Sequence, residues 1–511
     1  MPRTSYADFN IEVEPGTPQA GREPLPSPVD RDTPFRILVM GDFSGRASRK
    51  FTSTGPRKAI NVDRDNFEDV LESLNVTLHL PVDGSSPLEI RFNELDDFHP
   101  DRLYTGLPLF TRLRNLRERL EDSKTFADAA RELGVNTGGA AQASAPAAAP
   151  PPRPQAGGLS FLDSALEEAE TRGSAARARS ADPLANYISA LVAPHLVPKA
   201  DPKQKEVLQM ADTAIAGVMC DLLHHPSFQE LEAAWRGLYF LVKELETSPL
   251  LKVMLLDISR QELEADLGEA DDLKTTAMYK LLVEQTVRTP GAHPWAVVVS
   301  TLTFGPEMTD LNLLARMGLL CRQAGAPLLG GASPALLGCK SLAADPYPED
   351  WKPGAEREGW DLVRSLPESR WVGLILPRFM ARMPYGKSGE QTDHFPFEEL
   401  GTPPNHEHYL WGNAAILCAY LLGQNYAEFG WGMDATEILT LHKMPMHVYK
   451  DAVGDPEIKP AGEVFLTETA MEKIHEAGLM TLMSFANSDQ VRLSGWRSIA
   501  AGNVGLSARW G

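Results

Sequence analysis

The sequence lacks the motifs that mark most enzymes and the charge that marks most nucleic-acid binders. It contains no GxxxxGK[ST] phosphate loop, no GxGxxG turn and no HExxH metal pair. Its 49 basic residues are outnumbered by 69 acidic ones, and the formal charge of -20 repels phosphate backbones and anionic lipid surfaces. We therefore predict a protein that is not an enzyme, with no cofactor and no nucleic-acid partner.

Cysteines and long apolar runs are also scarce. The four cysteines among 511 residues lie far apart, with no CxxC pair and no zinc-finger spacing to a histidine. No run of about 18 uncharged apolar residues occurs, and the first residues contain no apolar signal-peptide core. These absences predict a cytoplasmic protein without membrane insertion.

What the chain does have is apolar material for more than one core, since 43% of its residues are hydrophobic. A run rich in Ala, Pro and Gly at 136–158 offers no periodic apolar face and predicts a flexible linker. The predicted fold class is α/β. A small α+β N-terminal domain and a larger α/β domain are joined by a disordered Ala/Pro linker.

Upstream of the linker, the pattern predicts two strands in a hairpin, one further strand and two helices. The apolar run 35–43 is typical of a buried strand, and Asp65 is the expected cap of the helix that follows. Alternating residues on either side of Asp83-Gly84 predict the hairpin. A leucine stripe predicts a core-facing helix with a solvated arginine face. The stripe consists of Leu109, Leu113, Leu116 and Leu120.

Downstream, helical and strand-like segments alternate, which is typical of an α/β domain. A long helix is predicted around Trp235, and another over 412–426. Short apolar runs between helical patterns predict buried strands. These runs are 252–258, 295–302, 327–329, 371–377, 464–466 and a final one at 479–485.

A few polar clusters are candidate sites. His394, His406 and His408 lie among acidic residues and would form a metal site or, more simply, an exposed loop. The segment 385–389, YGKSG, departs from the GxSxG nucleophile elbow and is predicted to be a loop. His224-His225-Pro226 is expected to end a helix, and Asp96-Asp97 to start one. We predict no metal site.

Several ordered pieces before the linker resemble the small subunit of type VI secretion contractile sheaths. They are FRILVMGDFSGR at 35–46, INVDRDNFEDVLESL at 60–74 and DDFHPDRL at 96–103. After the linker, LLHHPSFQELEAAWRGLYFLV at 222–242 is similar to a helix of the large sheath subunit. Further pieces follow in family order, at 304–318, 324–334, 370–386 and 409–415. The resemblance implies a fused small-plus-large sheath subunit.

This resemblance implies a structural role and a set of protein partners. Sheath subunits assemble around an inner tube, attach to baseplate proteins, and share strands with neighbouring subunits. A hexameric AAA+ ATPase recycles the sheath by gripping a short helix. In the family the large subunit continues beyond the point matching Leu506, so the resemblance implies a C-terminally shortened subunit. An adaptor or terminator at the baseplate or sheath end, or an enzyme on the same scaffold, are the alternatives.

Two segments are the candidate partner-binding sites that the resemblance implies. The assembly arm strand is Asn10, Ile11, Glu12 and Val13. The ATPase helix, 159–170, carries one apolar face, and its packing on its own domain stays an open alternative. That face is Leu159, Leu162, Ala165, Leu166 and Ala169. The predicted ranges are 1–34 for the arm, 35–135 and 203–511 for the two subunit-like domains, 136–158 for the linker and 159–202 for a helical connector.

Overall fold

A computed structural model describes residues 29–133 and 204–510, except positions 54, 82–86, 123–124, 269, 353 and 452. The strands are β1 Phe35–Gly41, β2 Ile60–Val62, β3 Val76–Leu80, β4 Leu88–Phe92, β5 Leu251–Asp257, β6 Val297–Phe304, β7 Leu328–Ala332, β8 Val372–Leu376, β9 Phe379–Met380, β10 Trp411–Gly412, β11 Thr440–Leu441, β12 His447–Lys450, β13 Pro456–Lys459, β14 Met480–Ser484 and β15 Val491–Leu493. The longer helices are α1 Phe67–Ser73, α2 Pro100–Gly106, α3 Pro108–Glu121, α4 Phe126–Glu132, α5 Gln204–Leu223, α6 Pro226–Glu244, α7 Arg260–Leu267, α8 Met308–Ala324, α9 Arg357–Ser365, α10 Ala415–Phe429 and α11 Glu468–Glu476.

A nine-stranded sheet organises the structure, in the order β11-β15-β14-β8-β7-β6-β1-β5-β2. The six strands from β14 to β5 in this order run parallel. At the edges, β2 is antiparallel to β5, and β15 is antiparallel to both β14 and β11. The predicted mixed α/β fold class is confirmed.

Strand β1 lies inside this sheet, with β5 on one side and β6 on the other. Phe35 is in register with Leu251, and Ile37 with both Val253 and Val297. The apolar residues of β1 are buried on both faces of the sheet, which explains why the run 35–41 has no polar alternation. The residues before and after the predicted linker therefore share one sheet.

Helices cover both faces of the sheet and divide the core into two clusters. Ile37 and Val39 point to the face covered by α10, α6 and α5, where the hairpin β3–β4 and α3 also pack. Leu38 and Met40 point to the opposite face, covered by α7, α8, α9 and α11. In the described residues, no helix is long and apolar enough to cross a bilayer.

Most of the predicted elements are present. The hairpin β3–β4, the leucine stripe of α3, the helix around Trp235 and the buried strands β5 to β8 are confirmed. Residues His224 and His225 end one helix, as expected, and the His225 ring also accepts the Ser227 N–H at the start of α6.

Three predictions are corrected. The N-cap of α1 is Asn66 and not Asp65, because Asp65 lies in a turn where Asp63 accepts its N–H. Residues 464–466 form no strand. Instead the hairpin β12–β13 precedes them, and Phe465 is left 45% exposed. Strand β14 is not the final one, since β15 turns back to pair with it.

Candidate functional site: the junction between the two segments

We call residues 29–133 the N-terminal segment and residues 204–510 the second segment. Their junction is centred on the segment 41–46, GDFSGR, which begins at the last residue of β1 and continues as a loop. Asp257, the last residue of the neighbouring strand β5, accepts the N–H groups of Phe43 and Ser44 at 2.9 and 3.0 Å. Its second oxygen accepts the Ser44 hydroxyl at 2.7 Å. Since β1 and β5 are parallel, their carboxyl ends meet at one sheet edge, which places these groups together.

Arg46 bridges two carboxylates of the second segment. Its Nε and one terminal nitrogen donate to the Glu262 oxygens at 2.8 and 3.0 Å, and the other donates to Asp257 at 3.0 Å. The Glu262 side chain is fully buried and also receives the Ser259 N–H at the start of α7. Burial opposes its ionisation, but the Arg46 and Ser259 hydrogen bonds outweigh burial and lower the Glu262 pKa. The bridge is therefore charged, and its Glu262 end is shielded from solvent.

The loop itself needs its particular residues. Asp42 accepts the N–H groups of Arg46 and Ala47, both at 2.7 Å, and so closes the loop on itself. Burial, assisted by the charge of Asp257, raises the Asp42 pKa. Gly45 has φ +73°, and a Cβ there would lie 2.3 Å from the Thr77 carbonyl oxygen. Only glycine fits that position without moving β3.

Trp235 of α6 contacts the same loop. Its indole N–H donates to the Phe43 carbonyl at 2.7 Å, and its ring is fully buried. Phe43 and Phe67, both from the N-terminal segment, meet this ring edge-on at 5.3 and 5.6 Å. Such aromatic pairs add to the free energy gained from burying the rings.

A helix contact forms the other side of the junction, between α3 and α5. Arg117 pairs with Asp212 at 2.6 Å. The side-chain amide of Gln204 donates to the carbonyls of Leu120 and Glu121, each at 2.7 Å. The first described residue of the second segment thus lies at the end of α3.

In open α/β sheets, ligands usually bind beyond the carboxyl ends of the strands, where the connections change direction. Here that point lies at β1, because β5 is on one side and β6 on the other. The polar groups at the ends of β1 and β5 are occupied by one another across the junction. This arrangement suits a permanent joint between the two segments.

A second buried network lies wholly within the second segment. Arg382 donates to Glu232 of α6 at 2.8 Å and to Glu399 at 2.7 Å. Burial opposes ionisation of Glu399, but Arg382, together with His224 at 3.7 Å and the Tyr385 N–H, outweighs it and lowers the Glu399 pKa to about 2. Arg236 reaches both Glu232 and the Tyr385 hydroxyl. This network fixes α6 against the loop that follows β9.

The three histidines considered as metal ligands do not converge. His406 lies between Glu463 and Lys459, at 3.1 and 2.9 Å. His408 stacks on His224 with 3.9 Å between ring centroids. The His394 N–H donates to Asp101. Across 29–133 and 204–510, no group of three His, Cys, Asp or Glu residues is placed to hold a metal ion.

The segment 385–389 is a loop, as predicted, but its serine has a partner that the sequence did not reveal. The Ser388 hydroxyl lies 2.8 Å from Nε2 of His447, whose Nδ1 lies 2.9 Å from the Tyr409 hydroxyl. Burial lowers the His447 pKa, which favours the neutral ring. The pair connects the loop to strand β12.

Asp97 does start a helical turn, though a different one from that expected. It forms a capping box with Glu94 on the turn Leu95–Phe98, while His99 caps α2. The candidate arm strand (Asn10, Ile11, Glu12, Val13) and the candidate ATPase helix (Leu159, Leu162, Ala165, Leu166, Ala169) lie outside the described residues. The linker at 136–158 lies outside them as well.

Two family models match this chain, one on each of the two segments. The VipB model, described as "EvpB/VC_A0108, tail sheath N-terminal domain", matches residues 205–500. The model described as "Type VI secretion system, VipA, VC_A0107 or Hcp2" matches residues 27–135. The chain belongs to the VipB tail sheath family and carries a VipA-type segment in front of it.

Two curated relatives show the same division. The type VI secretion system sheath protein TssC1 of Pseudomonas aeruginosa is 27% identical over 323 residues, 60% of this chain and 65% of TssC1. The sheath protein TssB1 of the same organism is 29% identical over 101 residues, 19% of this chain and 59% of TssB1. The chain therefore spans less than two thirds of the length of each relative.

Proposed function

We propose that this protein is a structural component of a type VI secretion contractile sheath, in which one chain supplies both halves of a protomer. The observation that carries the proposal is the position of β1. A strand from the VipA-matched segment lies between two strands of the VipB-matched segment, in a continuous register. Fusion gives the two halves a fixed one-to-one ratio and a high effective concentration.

A structural role also fits the way the chain uses its charged groups. The buried carboxylates Glu262, Glu232 and Glu399 and the partly buried Asp257 all pair with arginines of the same chain. Groups held in this way stabilise a fold and are poorly placed to bind a substrate. We infer that the protein is not an enzyme.

The proposed partners are neighbouring sheath subunits, the inner tube protein and the baseplate, all in the cytoplasm. The recycling AAA+ ATPase is a further proposed partner, through the segment 159–170. Replacing Leu162 and Leu166 by Asp should abolish capture by that ATPase in a pull-down. Unchanged capture would move the contact elsewhere.

Electron microscopy tests the main proposal. Purified protein, alone or mixed with full-length sheath subunits, is expected to form rings, tubes or joint sheaths. A gold-labelled chain should then appear along the sheath. Labels confined to one end would favour the adaptor or terminator role, whereas a protein that stays monomeric and never enters a sheath would contradict both.

A further inference from the structure

Two histidines from distant parts of the second segment stack on each other. His224 lies one residue beyond the end of α5, and His408 is the last residue of the helical turn His406–His408. Their ring centroids are 3.9 Å apart, and the ring planes make an angle of 19°. The stack therefore connects the corner between α5 and α6 to the loop that precedes β10.

The buried carboxylate of Glu399 faces this stack. Its Oε1 lies 3.7 Å from Nε2 of His224, a distance too long for a hydrogen bond. The His224 side chain is only 10% exposed, and its Nε2 has no hydrogen-bond partner among the residues that the structure describes. Glu399 can therefore balance one positive charge on the stacked pair.

The other carboxylates near the stack are engaged or open to solvent. Glu407, next to His408 in the chain, pairs with Arg378 at 3.3 Å. Asp221, one turn before His224 in α5, is exposed, so water screens its charge. A second positive charge on the stack therefore has little to balance it. The remaining titratable neighbours are Cys220, whose thiol donates to the Glu399 carbonyl, and His225.

Proton uptake by both rings opposes the stack. Two imidazolium rings with centroids 3.9 Å apart repel each other, and they do so more strongly where water is largely excluded. Burial, and after it the charge of His224, lowers the His408 pKa, while Glu399 and Glu407 act in the opposite direction. The stack therefore favours a neutral His408, and a second proton is accommodated when the rings separate.

We propose that the pair His224–His408 is a pH-sensitive latch, closed when at least one ring is neutral and open when both rings are protonated. An open latch frees the end of α5 from the loop before β10. The inference goes beyond the proposed function and does not depend on it. Histidine suits this role because its charge changes within the physiological pH range.

The pH window of the latch follows from His408. Its pKa in the fold lies below the ordinary value of about 6.5, so the latch stabilises the fold above that value and loses this contribution as pH falls below it. Glu399 keeps its charge throughout this range, because its pKa is about 2. The response of the latch is therefore separate from the acid response of the Arg382 network.

Opening is expected to be local. The side-chain amide of Gln229 donates to the Glu407 carbonyl at 3.3 Å, and the Trp411 indole donates to the His406 carbonyl at 2.8 Å. Neither contact contains a group that titrates between pH 7.5 and 5.5. These hydrogen bonds keep the turn close to α6 while the stack is broken.

Hydrogen–deuterium exchange of the full chain, read by mass spectrometry at pH 7.5 and 5.5, tests the latch. Each rate is divided by the intrinsic rate at that pH, which gives a protection factor. Protection over 405–410 should fall by about tenfold at pH 5.5, because opening takes up a proton. In His408→Gln and in His224→Gln, which cannot carry both charges, protection should change less than about twofold.

Two other histidines provide matched controls. His394→Gln removes an exposed ring outside the latch and should keep the full wild-type response. The His225 ring caps α6 by accepting the Ser227 N–H, and protonation of the accepting nitrogen would prevent this. His225→Asn keeps a capping acceptor that does not titrate, so this variant should also respond like the wild type.

The outcomes decide for or against the latch. Wild-type protection that is the same at both pH values would contradict it, whatever the variants do. A response that persists in both His224→Gln and His408→Gln, or that disappears in His225→Asn, would place the titrating group elsewhere and overturn the proposal. Circular dichroism at pH 7.5 checks that each variant is folded, and if one is not, the other and the wild type still decide. The sheath role is unaffected by the result, because the measurement uses the isolated chain.

Discussion

Two buried networks use the same chemistry in different places. Arg46 lies between Asp257 and Glu262 at the junction, and Arg382 lies between Glu232 and Glu399 inside the second segment. The Arg46 side chain is 18% exposed and that of Arg382 is 6% exposed. The arginine at the junction is therefore more exposed to solvent than the arginine inside the second segment, but most of its side chain is still covered.

The comparison shows how two segments can form one folding unit. A surface contact between preformed domains would place ion pairs at an exposed rim, where each contributes little. Here the strand β1 and the Trp235 anchor are buried, and Arg46, although 18% exposed, pairs with a fully buried Glu262. We expect the segments to unfold together, and the following changes test how alike the two networks are.

The largest expected effect is at Arg382. Arg382→Met leaves Glu399 buried without its arginine and Glu232 with Arg236 alone, so the free energy of unfolding should fall by about 3–5 kcal/mol. Urea denaturation measures this loss. Arg357→Met, which removes an exposed helix pair with Asp361, is the matched control and should cost under about 0.5 kcal/mol. Equal losses in the two variants would show that the Arg382 network is not important for stability.

Acid should act on the same network. The Glu399 pKa is lowered to about 2, below the ordinary value of roughly 4.3, chiefly by Arg382 and also by His224 and the Tyr385 N–H. Ionised Glu399 therefore stabilises the fold at pH values above about 4.3. That stabilisation, roughly 2–3 kcal/mol, is lost as pH falls from about 4.3 towards 2. Urea midpoints measured from pH 7 to 3 should show the decline. In Arg382→Met the decline should be smaller, and an identical pH profile would count against this cause.

Arg46→Met should have the next largest effect, about 2–3 kcal/mol, since Arg46 is partly exposed and water can reach the orphaned Asp257. The loss should appear in the same cooperative transition when fluorescence and circular dichroism are compared. Two separate transitions in the wild type would argue that the segments fold independently.

Trp235→Phe is expected to give the smallest effect, about 1–2 kcal/mol. The substitution keeps most of the buried ring but removes the donor to the Phe43 carbonyl, which is left unsatisfied. Trp295→Phe, which loses a longer 3.3 Å bond to the Leu281 carbonyl, offers a comparison within the second segment. If Trp235→Phe leaves the free energy of unfolding unchanged, the indole hydrogen bond does not stabilise the junction.

The sequence predicts a helix or strand well where one face or both faces of that element are buried. The continuous apolar run of β1 and the 3.6-residue period around Trp235 are local signals, and both are confirmed. Pairing between distant segments has no such signal. Nothing near Phe35 indicates Leu251, 216 positions away, and nothing near Arg46 indicates Glu262. The resemblance suggested two joined subunits but not a shared sheet.

Local errors had local causes. Asp65 and Asn66 are both good capping residues in adjacent positions, and the turn at Asp63 decides between them. The apolar residues 464–466 suggested a strand, but Glu463 before them has φ +57° and pairs with Arg378 and His406. That geometry turns the backbone away from any strand. The predicted domain ranges remain predictions.

The most direct measurement is to cut the chain between its two segments. After cleavage at a protease site inserted in 136–158, residues 29–133 and 204–510 would be held together by non-covalent contacts, which include the pairing of β1 and β2 with β5. After cleavage, we predict that the two pieces elute together from a size-exclusion column and still unfold in one transition. Pieces that separate on the column in native buffer would contradict the claim that the two segments form one protomer.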